Sequence, residues 1–437
     1  MTLINKVTNM KKSYVFISMM IMLMACCTND IEDSVGMPTT TDNIGSTEKR
    51  SYEEAIEIAK NSISILEHHG VTRGVTAKRT VCVDEPAIAI SSGYSLTRSG
   101  KGVNDTVLYV LNFNDDLGFA VVSASKNTEG LLAVTESGHF DPDGFSEIEG
   151  FNMFIESAKK YVKFSAPAVP KFDPITQRKD STAYRESYVG PYVTVRWGQG
   201  YCYGAYCTNH LAGCSNTAMA QIMTYFEYPS SISLTYSGAD RSFQTLDWDD
   251  MKSHVCSSPH YPCQASSDAH AAIGRLCKQL VTMTHSDDSS SSGTVTGKSN
   301  VSSALLSLGY QIGNWEDYSS ASSTLYSRLS DGKVFLIRGD LENGSDGHMW
   351  VLDGTYTLTT EQFSWTKTEY DHDWILDLHT IHSTTYYHYN WGFNGSNNGY
   401  FNRNVFKVDD VLKPDTSNNT QTYNLSRNVQ VLSVFHE

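Results

Sequence analysis

Apolar residues recur at helical spacing twice in the first part of the chain. Residues 51–70 carry such residues on one helical face before a terminal glycine, at Ala55, Ile56, Ala59, Ile63 and Leu66. Ser51 stands three residues before Glu54, the pattern of a capping box at a helix start. A second helix is predicted over residues 147–163.

Short apolar segments bounded by Gly, Asn and Asp separate these two helices and predict strands. They cover residues 81–91, 105–114, 118–125 and 130–138. Helices and strands together indicate an α+β domain over residues 50–165, called here the N-terminal domain.

Residues 166–190 break this pattern with prolines and polar residues. Basic side chains are also concentrated there, at Lys171, Arg178, Lys179 and Arg185. Irregular segments of this kind connect domains and are readily cut by proteases. We therefore expect an exposed linker that a protease cleaves.

A second α+β pattern occupies residues 191–437, called here the C-terminal domain. Helices are predicted first, over residues 213–226, 267–284, 300–309 and 320–329. Strands then dominate, at residues 333–339, 348–356, 374–379, 385–392 and 428–435. No internal repeat is evident.

The N-terminus has the pattern of an export signal. Lys11 and Lys12 precede an apolar run over residues 13–23, which is shorter than the ~20 residues of a membrane span. The following Leu-Met-Ala-Cys resembles a bacterial lipobox, which makes Cys26 the expected lipidation site and Cys27 the alternative. An ordinary cleaved signal or a short anchor helix is the other interpretation. We expect a signal peptide over residues 1–26.

Residues 27–49 are polar and rich in turn-forming residues, which is typical of a tether. The expected location is therefore the outer membrane or cell surface, with a lipid anchor, or release to the extracellular space.

Charge narrows the choice of partners. The chain has 437 residues and a net charge of −15, whereas nucleic acid binding needs clustered Lys and Arg. Nucleic acid is therefore not an expected partner, and no motif predicts a cofactor.

Cys214 is the candidate nucleophile, because it stands at the predicted start of a helix. Unpaired backbone amides and the positive end of the helix dipole stabilise a thiolate there. Gly213 allows a sharp turn into the helix, and the small residues Ser215, Thr217 and Ala218 leave room beside the sulfur. The following apolar residues predict a buried, well-held helix.

A nucleophilic cysteine needs a histidine to hold its proton and a third group to orient that histidine. His348 follows Gly347 at the start of an apolar strand, and Asn390 and Trp391 end another. A buried, inert cysteine is the alternative interpretation of Cys214 alone.

These motifs resemble those of the streptopain-like cysteine peptidases. The similarity runs from Gly213 to Pro229, through Gly347-His348 with Asp353-Gly354, to Asn390-Trp391-Gly392, and includes Trp-Gly-Gln-Gly at residues 197–200. It implies a papain-like two-subdomain fold, with Gln199 donating to the oxyanion. Residues 105–125 resemble the family's propeptide more weakly, which implies that the N-terminal domain inhibits the enzyme until it is cut away.

The sequence departs from papain-type enzymes at the orienting residue. Their Asn lies two residues before the Trp of a Trp-Gly pair, whereas Tyr389 has that place here and Asn390 adjoins Trp391. Either Asn390 orients His348, or packing against the Trp391 indole does so with a backbone partner.

The expected function is a cysteine endopeptidase made as a zymogen, with protein or peptide substrates and its own propeptide as inhibitor. Another Cys-His acyl-transfer enzyme, such as a transglutaminase or a cell-wall amidohydrolase, shares the order Cys, His, polar residue. A non-catalytic surface binding protein is the third possibility.

The remaining cysteines have close neighbours in the sequence. Cys202 with Cys207, and Cys256 with Cys263, are spaced for small-loop disulfides in an exported protein, and Cys82 and Cys277 are expected to be buried thiols. His254 and His260 near the second pair suggest zinc only weakly, because the spacing matches no standard finger.

Overall fold

The structure, a computed structural model, describes most of the chain beyond the predicted signal and tether. The described residues are 49–68, 78–82, 88–91, 96–97, 106–141, 149–165, 177–254, 264–290, 294, 296–340, 347–367, 373, 375–407 and 429–436. Cys26, Lys171, Cys256, His260 and Cys263 lie outside them. No helix among the described residues is long and apolar enough to cross a membrane.

Among the described residues, the N-terminal domain has two α-helices and five strands. In chain order these are α1 (Tyr52–His68), β1 (Ile88–Ser91), β2 (Leu96–Thr97), β3 (Thr106–Asn112), β4 (Phe119–Ser123), β5 (Leu131–Thr135) and α2 (Glu149–Phe164). The capping box is confirmed. The Ser51 amide donates to Glu54 at 2.7 Å, and the Glu54 amide donates to the Ser51 hydroxyl at 3.2 Å.

The helices cover opposite faces of this sheet, because successive strand residues point to opposite sides. Leu108 on β3 belongs to a core with Phe151 of α2. Its neighbour Tyr109 belongs to a different core with Ala55 of α1. The strands are buried on both faces, which explains why they read as nearly continuous apolar runs.

The interpretation of residues 166–190 as an irregular linker is wrong for most of its second half. Residues 177–189 form strand β6 (Gln177–Val189), which pairs antiparallel with Thr355–Lys367. Its side chains from 181 to 187 are exposed. The strand therefore arises from backbone pairing with a partner far along the chain, which its polar sequence does not indicate.

The C-terminal domain contains six helices among the described residues. They are α3 (Cys214–Phe226), α4 (Trp248–Lys252), α5 (Ser267–Met283), α6 (Lys298–Ser307), α7 (Tyr318–Ala321) and α8 (Leu325–Ser330). The single helix expected over residues 320–329 is thus two short helices.

Strands follow largely as predicted. They are β7 (Ser231–Ser233), β8 (Phe243–Thr245), β9 (Gln311–Ile312), β10 (Glu316–Asp317), β11 (Val334–Asp340), β12 (Gly347–Lys367), β13 (Ile375–Asn390), β14 (Gly399–Asn402) and β15 (Val429–Phe435). Two expected strands merge into β13, because β12 and β13 pair over almost their whole length. The α+β fold class is confirmed.

One sheet of thirteen described strands joins the two domains. Its order is β10-β15-β11-β12-β13-β14-β5-β4-β3-β1-β2, with β6 on β12 and β9 on β15. The join is the antiparallel pair β14–β5, in which Gly399 faces Thr135 and Phe401 faces Ala133. Residues 47–437 accordingly form one compact unit.

The core beneath this join is shared between the domains. Phe154 of α2 packs edge-on against Phe401 of β14, with ring centroids 4.9 Å apart. The same cluster contains Trp350 and Trp391 of the C-terminal domain. Each fully buried aromatic side chain contributes about 1.5–3 kcal/mol, so the contact holds the domains firmly together.

The expected Cys202–Cys207 disulfide is wrong. The described cysteines form no disulfide with one another; they are Cys82, Cys202, Cys207, Cys214 and Cys277. The Cys202 sulfur instead lies 3.3 Å from Nε2 of His254. Cys277 is buried as expected, whereas Cys82 is half-buried.

We expect Arg178, Lys179 and Arg185 to resist trypsin in the folded protein, because their backbone is paired with β12 and proteases bind extended chain that is free to pair. Limited digestion of the full-length Cys214→Ala protein, followed by mass measurement, should give C-terminal fragments that retain residues 177–189.

A heat-unfolded sample is the control and should be cut at all three positions. Fragments of the folded protein that begin at residue 179, 180 or 186 would contradict this prediction.

Candidate active site

Cys214 is the first residue of α3, as the sequence predicts. Gly213 before it has φ 81° and ψ 151°, a conformation that favours glycine. A Cβ at Gly213 would also lie 2.8 Å from the Cβ of Thr294. Gly213 has no side chain, so it gives the first-turn amides of α3 no side-chain cap hydrogen bond. Cys214 is half-buried and forms no disulfide with another described cysteine.

Buried polar contacts hold the start of α3 in place. The Asn216 side chain donates to the Ala212 carbonyl at 2.9 Å and accepts from the Thr284 hydroxyl at 2.9 Å. The helix is buried continuously from Ser215 to Thr224. Cys214 therefore sits on a rigid element, with its own side chain at the edge of the buried region.

The segment carrying Gln199 is tied to the same helix. The Ala212 amide donates to the Gln199 carbonyl at 2.8 Å, and the Thr217 hydroxyl donates to the Gly198 carbonyl at 3.2 Å. The Gln199 residue is half-exposed, and its side-chain amide has no hydrogen bond with another described residue. That amide is available to a ligand.

His348 begins the buried part of β12 and is held by a main-chain oxygen. Its Nε2 lies 2.9 Å from the Trp391 carbonyl oxygen. A carbonyl only accepts hydrogen bonds, so Nε2 carries the proton. In a neutral ring that is protonated at Nε2, the lone pair is on the other ring nitrogen, Nδ1. The imidazole also stacks on Trp350, at 13° between the rings.

Trp391 is itself fixed by the loop that follows it. Its backbone amide donates to Oδ1 of Asn398 at 2.9 Å, and its indole N–H donates to the Asn397 carbonyl at 3.0 Å. The indole packs on Trp350 with centroids 4.9 Å apart. The carbonyl that holds His348 thus has a defined direction.

Asn390 makes different contacts from those of a papain-type Asn. Its amide donates to the Val195 carbonyl at 2.8 Å, and its Oδ1 accepts from the Gly392 amide at 3.2 Å. Of the two alternatives left by the sequence, the hydrogen bond observed at His348 corresponds to the backbone partner. Asn390 joins the two segments that flank the site.

The loop after Trp391 also touches the helix of Cys214. A Cβ at Gly392 would lie 3.3 Å from Cγ2 of Thr217. The segment carrying Gln199 and the loop that follows Trp391 therefore both lie against α3, the helix that begins at Cys214.

Helix α2 of the N-terminal domain lies directly over Trp391 and His348. A Cβ at Gly150 would lie 2.6 Å from Cε3 of Trp391 and 2.8 Å from Cδ2 of His348. One turn further, the Met153 sulfur lies 2.9 Å from the Cβ position of Gly339 on β11. His348 is consequently only 2% exposed.

Other described cysteines have different surroundings. Burial raises the pKa of Cys207 to about 11, and burial also raises that of Cys277. The Cys202–His254 contact is buried, and burial together with His270 lowers the pKa of His254 to about 4. The raised pKa values keep Cys207 and Cys277 protonated at neutral pH, the unreactive form of a thiol.

Sequence reasoning missed a cluster of buried charges close to the site. Arg196, Asp353 and His388 of the C-terminal domain meet Glu136 of the N-terminal domain. Each is a charged or titratable residue within or beside an apolar strand, and such residues are paired when buried. Charged residues within or beside apolar strands could therefore have identified these four residues from the sequence. The sequence does not indicate which of them pair with one another.

The described residues contain no group of three or more His, Cys, Asp or Glu side chains placed to bind a metal ion.

Comparisons with known proteins agree with the two-domain organisation. Residues 197–401 match the Peptidase C10 family, and residues 48–162 match the Spi protease inhibitor family. The boundary between the two matches contains β6.

Streptopain from Streptococcus pyogenes serotype M28 is 25% identical over 338 residues, which cover 69% of this chain and 75% of streptopain. Streptopain from serotype M1 gives the same values. The solved structure of a fragment of Prevotella intermedia prointerpain A, carrying a cysteine-to-alanine mutation, covers 75% of this chain and 94% of its own, with 18% identity and a TM-score of 0.47. The family matches show that this chain is a cysteine peptidase of the Peptidase C10 family, with an N-terminal propeptide inhibitor domain.

Proposed function

We propose that the protein is an exported endopeptidase, made as a zymogen, in which Cys214 and His348 cleave peptide bonds. The observation that carries this proposal is that the segment carrying Gln199 is hydrogen-bonded to α3, the helix that begins at Cys214, while the Trp391 carbonyl of a loop lying against α3 holds His348. Lys11, Lys12 and the lipobox-like residues ending at Cys26 support export as a lipoprotein.

Cys214 supplies the nucleophile. The positive end of the α3 dipole and the first-turn amides stabilise its thiolate. His348 serves as its proton partner through Nδ1, because Nε2–H is engaged by the Trp391 carbonyl. An imidazolium formed at His348 is stabilised by that same carbonyl.

The reaction is acyl transfer in two stages. The thiolate attacks the peptide carbonyl carbon, and the negative charge moves onto the carbonyl oxygen. The Cys214 amide and the Gln199 side chain donate hydrogen bonds to that oxyanion. His348 then gives its proton to the departing amine as the C–N bond breaks. Water hydrolyses the thioester and releases the second product.

The N-terminal domain inhibits by covering His348. Gly150 is the point of closest approach, and the start of α2 occupies space that a substrate must enter. Activation accordingly requires α2 to leave. Because Arg178, Lys179 and Arg185 lie in the paired strand β6, an activating cut falls more readily before Gln177 than within β6.

Cys214→Ala and His348→Ala should each lower the rate of casein cleavage on the order of a thousandfold or more, because each removes one member of a unit that acts together. Activity should also require a reducing agent, since an accessible thiolate oxidises. Casein digestion by the activated proteins measures both effects.

Cys82→Ala and His382→Ala are matched controls, because Cys82 is a half-buried thiol in the other domain and His382 is exposed on β13. Their activity should equal that of the parent. Substantial cleavage by pure, folded Cys214→Ala protein would end the assignment.

Gln199→Ala should reduce kcat by roughly a hundredfold to a thousandfold, with little change in KM, because the lost hydrogen bond forms fully only in the transition state. Steady-state kinetics on a peptide substrate measure this. Gln362→Ala, at an exposed position on β12, is the control. An unchanged kcat for Gln199→Ala would place the oxyanion donor elsewhere.

Gly150→Leu should make the uncut zymogen active by severalfold over the parent. The new side chain overlaps Trp391 and His348, and overpacking of this kind costs about 1–3 kcal/mol. Full-length protein is assayed at early times, with gel analysis to exclude cleavage.

Lys163→Leu is the control, because Lys163 is exposed at the other end of the same helix. A Gly150→Leu zymogen as silent as the parent would argue against occlusion at this point.

A further inference from the structure

A buried group of four charges crosses the boundary between the two domains. Arg196, His388 and Asp353 belong to the peptidase domain, and Glu136 belongs to the propeptide domain. Their exposed fractions are 8%, 3%, 0% and 3%, respectively. Two positive and two negative charges balance when His388 is protonated.

Both ring nitrogens of His388 face carboxylates. Nδ1 lies 2.6 Å from Oδ1 of Asp353, and Nε2 lies 3.0 Å from Oε1 of Glu136. Ionised carboxylates only accept hydrogen bonds, so both nitrogens must donate and the ring is an imidazolium. The second oxygen of Glu136 accepts from Nη2 of Arg196 at 2.8 Å.

The cationic half of this group is built by the peptidase domain alone. Asp353 holds Nδ1 of His388, and its other oxygen accepts from the Val193 amide at 2.7 Å. The Arg196 side chain packs against Gly395, whose Cβ position lies 2.9 Å from the Arg196 Cγ. Two donors are thereby aimed at one position, which the Glu136 carboxylate fills.

Glu136 reaches this position because it directly follows β5, the strand that docks on β14. Its amide donates to the Asn398 carbonyl at 2.6 Å, and the Ser137 hydroxyl donates to the Gly395 carbonyl at 2.6 Å. The Asn397 amide donates to the Ser137 carbonyl at 3.2 Å.

These propeptide contacts fall on the loop that fixes Trp391. Asn397 and Asn398 are also the residues that accept from the Trp391 indole and amide. The segment that carries the Glu136 carboxylate is therefore bonded, through Glu136 and Ser137, to the same loop that fixes the Trp391 carbonyl.

We propose that Arg196 and His388 form a second binding site of the peptidase domain, separate from the cleft, for one ionised carboxylate presented by a strand docked on β14. In the zymogen its occupant is Glu136. The site selects a carboxylate over an amide, because the NH2 group of glutamine would face one of the two donors. It thereby determines how tightly the propeptide is held.

The charge state of the cluster has a defined pH window. Burial by itself would raise the pKa of Glu136, but Arg196 and His388 outweigh it and lower the pKa to about 2. Burial by itself would lower the pKa of His388, but Asp353 and Glu136 raise it to about 10. Arg79, which donates to the Glu136 carbonyl at 2.9 Å, and Tyr400, whose ring lies 5.2 Å from His388, complete the surroundings.

The signs of these shifts give opposite pH limits. The Glu136 contribution to stability is present above its ordinary pKa of 4.5 and is lost as the pH falls towards 2. The His388 contribution is complete below its ordinary pKa of 6.5 and is lost as the pH rises towards 10. The cluster is therefore at full strength between about pH 4.5 and 6.5.

The test uses the full chain with Cys214→Ala, so that no peptidase activity is needed. Glu136→Gln should increase hydrogen exchange of the β5 and β14 amides on the order of tenfold or more at pH 6, because removing one member of a buried charge pair weakens docking. Glu129→Gln is the matched control. Its carboxylate is half-buried and accepts from Tyr161 within the propeptide domain.

Thermal unfolding from pH 3 to 9.5 distinguishes an effect of the Glu136 charge from an effect of altered side-chain packing. The difference in Tm between the parent and Glu136→Gln should be largest between about pH 4.5 and 6.5 and smaller at both ends, as the folded-state pKa values require. A constant difference at every pH would overturn the charge selection. The proposed site would be contradicted if hydrogen exchange in Glu136→Gln equals that of the parent. It would also be contradicted if exchange in Glu129→Gln is as fast as in Glu136→Gln.

If Glu136→Gln is insoluble, Glu136→Asp replaces it, because aspartate keeps the charge on a shorter side chain. Hydrogen exchange of the β5 and β14 amides is then compared between Glu136→Asp and the parent. One consequence of the proposal rests on the proposed zymogen function. When Cys214 is restored, the Glu136→Gln protein should become active earlier than the parent. Faster exchange without earlier activity would support the site and count against inhibition by the propeptide. Unchanged exchange would count against the site whatever the activity.

Discussion

The antiparallel pairing of β5 with β14 is the constraint on which the rest of the structure depends. It makes one sheet of two domains, with Phe401 facing Ala133 across the join. The register of this strand pair then fixes where the segments that follow β5 lie against the peptidase domain. Glu136 follows β5 directly, and α2 returns across the shared aromatic core. The closeness of Gly150 to His348 is a consequence of that register.

The active site uses main-chain atoms where papain-type enzymes use an Asn side chain. The Trp391 carbonyl holds Nε2 of His348, and the Asn390 side chain instead joins Val195 to Gly392. A main-chain acceptor is only as well placed as its loop, so the orientation of His348 depends on Asn397 and Asn398. The N-terminal domain contacts that same loop, so its docking is coupled physically to the orientation of His348.

Buried charges give the interface specificity that apolar packing lacks. Aromatic contacts such as that of Phe154 with Phe401 stabilise docking but are not specific for one partner side chain. Glu136 among Arg196, His388 and Asp353 is different, because a buried charge without its counter-charge is strongly unfavourable. Release of the propeptide must therefore separate opposite charges and hydrate them, in addition to exposing apolar surface.

Local pattern was sufficient for much of this protein. Apolar spacing predicted α1, α2, α3 and α5 within a few residues, and Cys214 at a helix start followed from Gly213 and the small residues after it. These predictions depend on neighbours along the chain, which the sequence displays directly. His348 was singled out by its place between Gly347 and an apolar strand, whereas the role of Gln199 was implied by the resemblance to the streptopain-like cysteine peptidases.

Tertiary structure alone decided the rest. Polar residues 177–189 form a strand because β12 lies beside them. Cys202 faces His254 and not Cys207. The hydrogen bond to His348 comes from a backbone carbonyl, which every residue carries and no motif can mark. Glu136 meets His388 from 252 positions away. Each contact joins distant segments, so its partners are fixed by strand register and packing and not by any periodicity in the sequence.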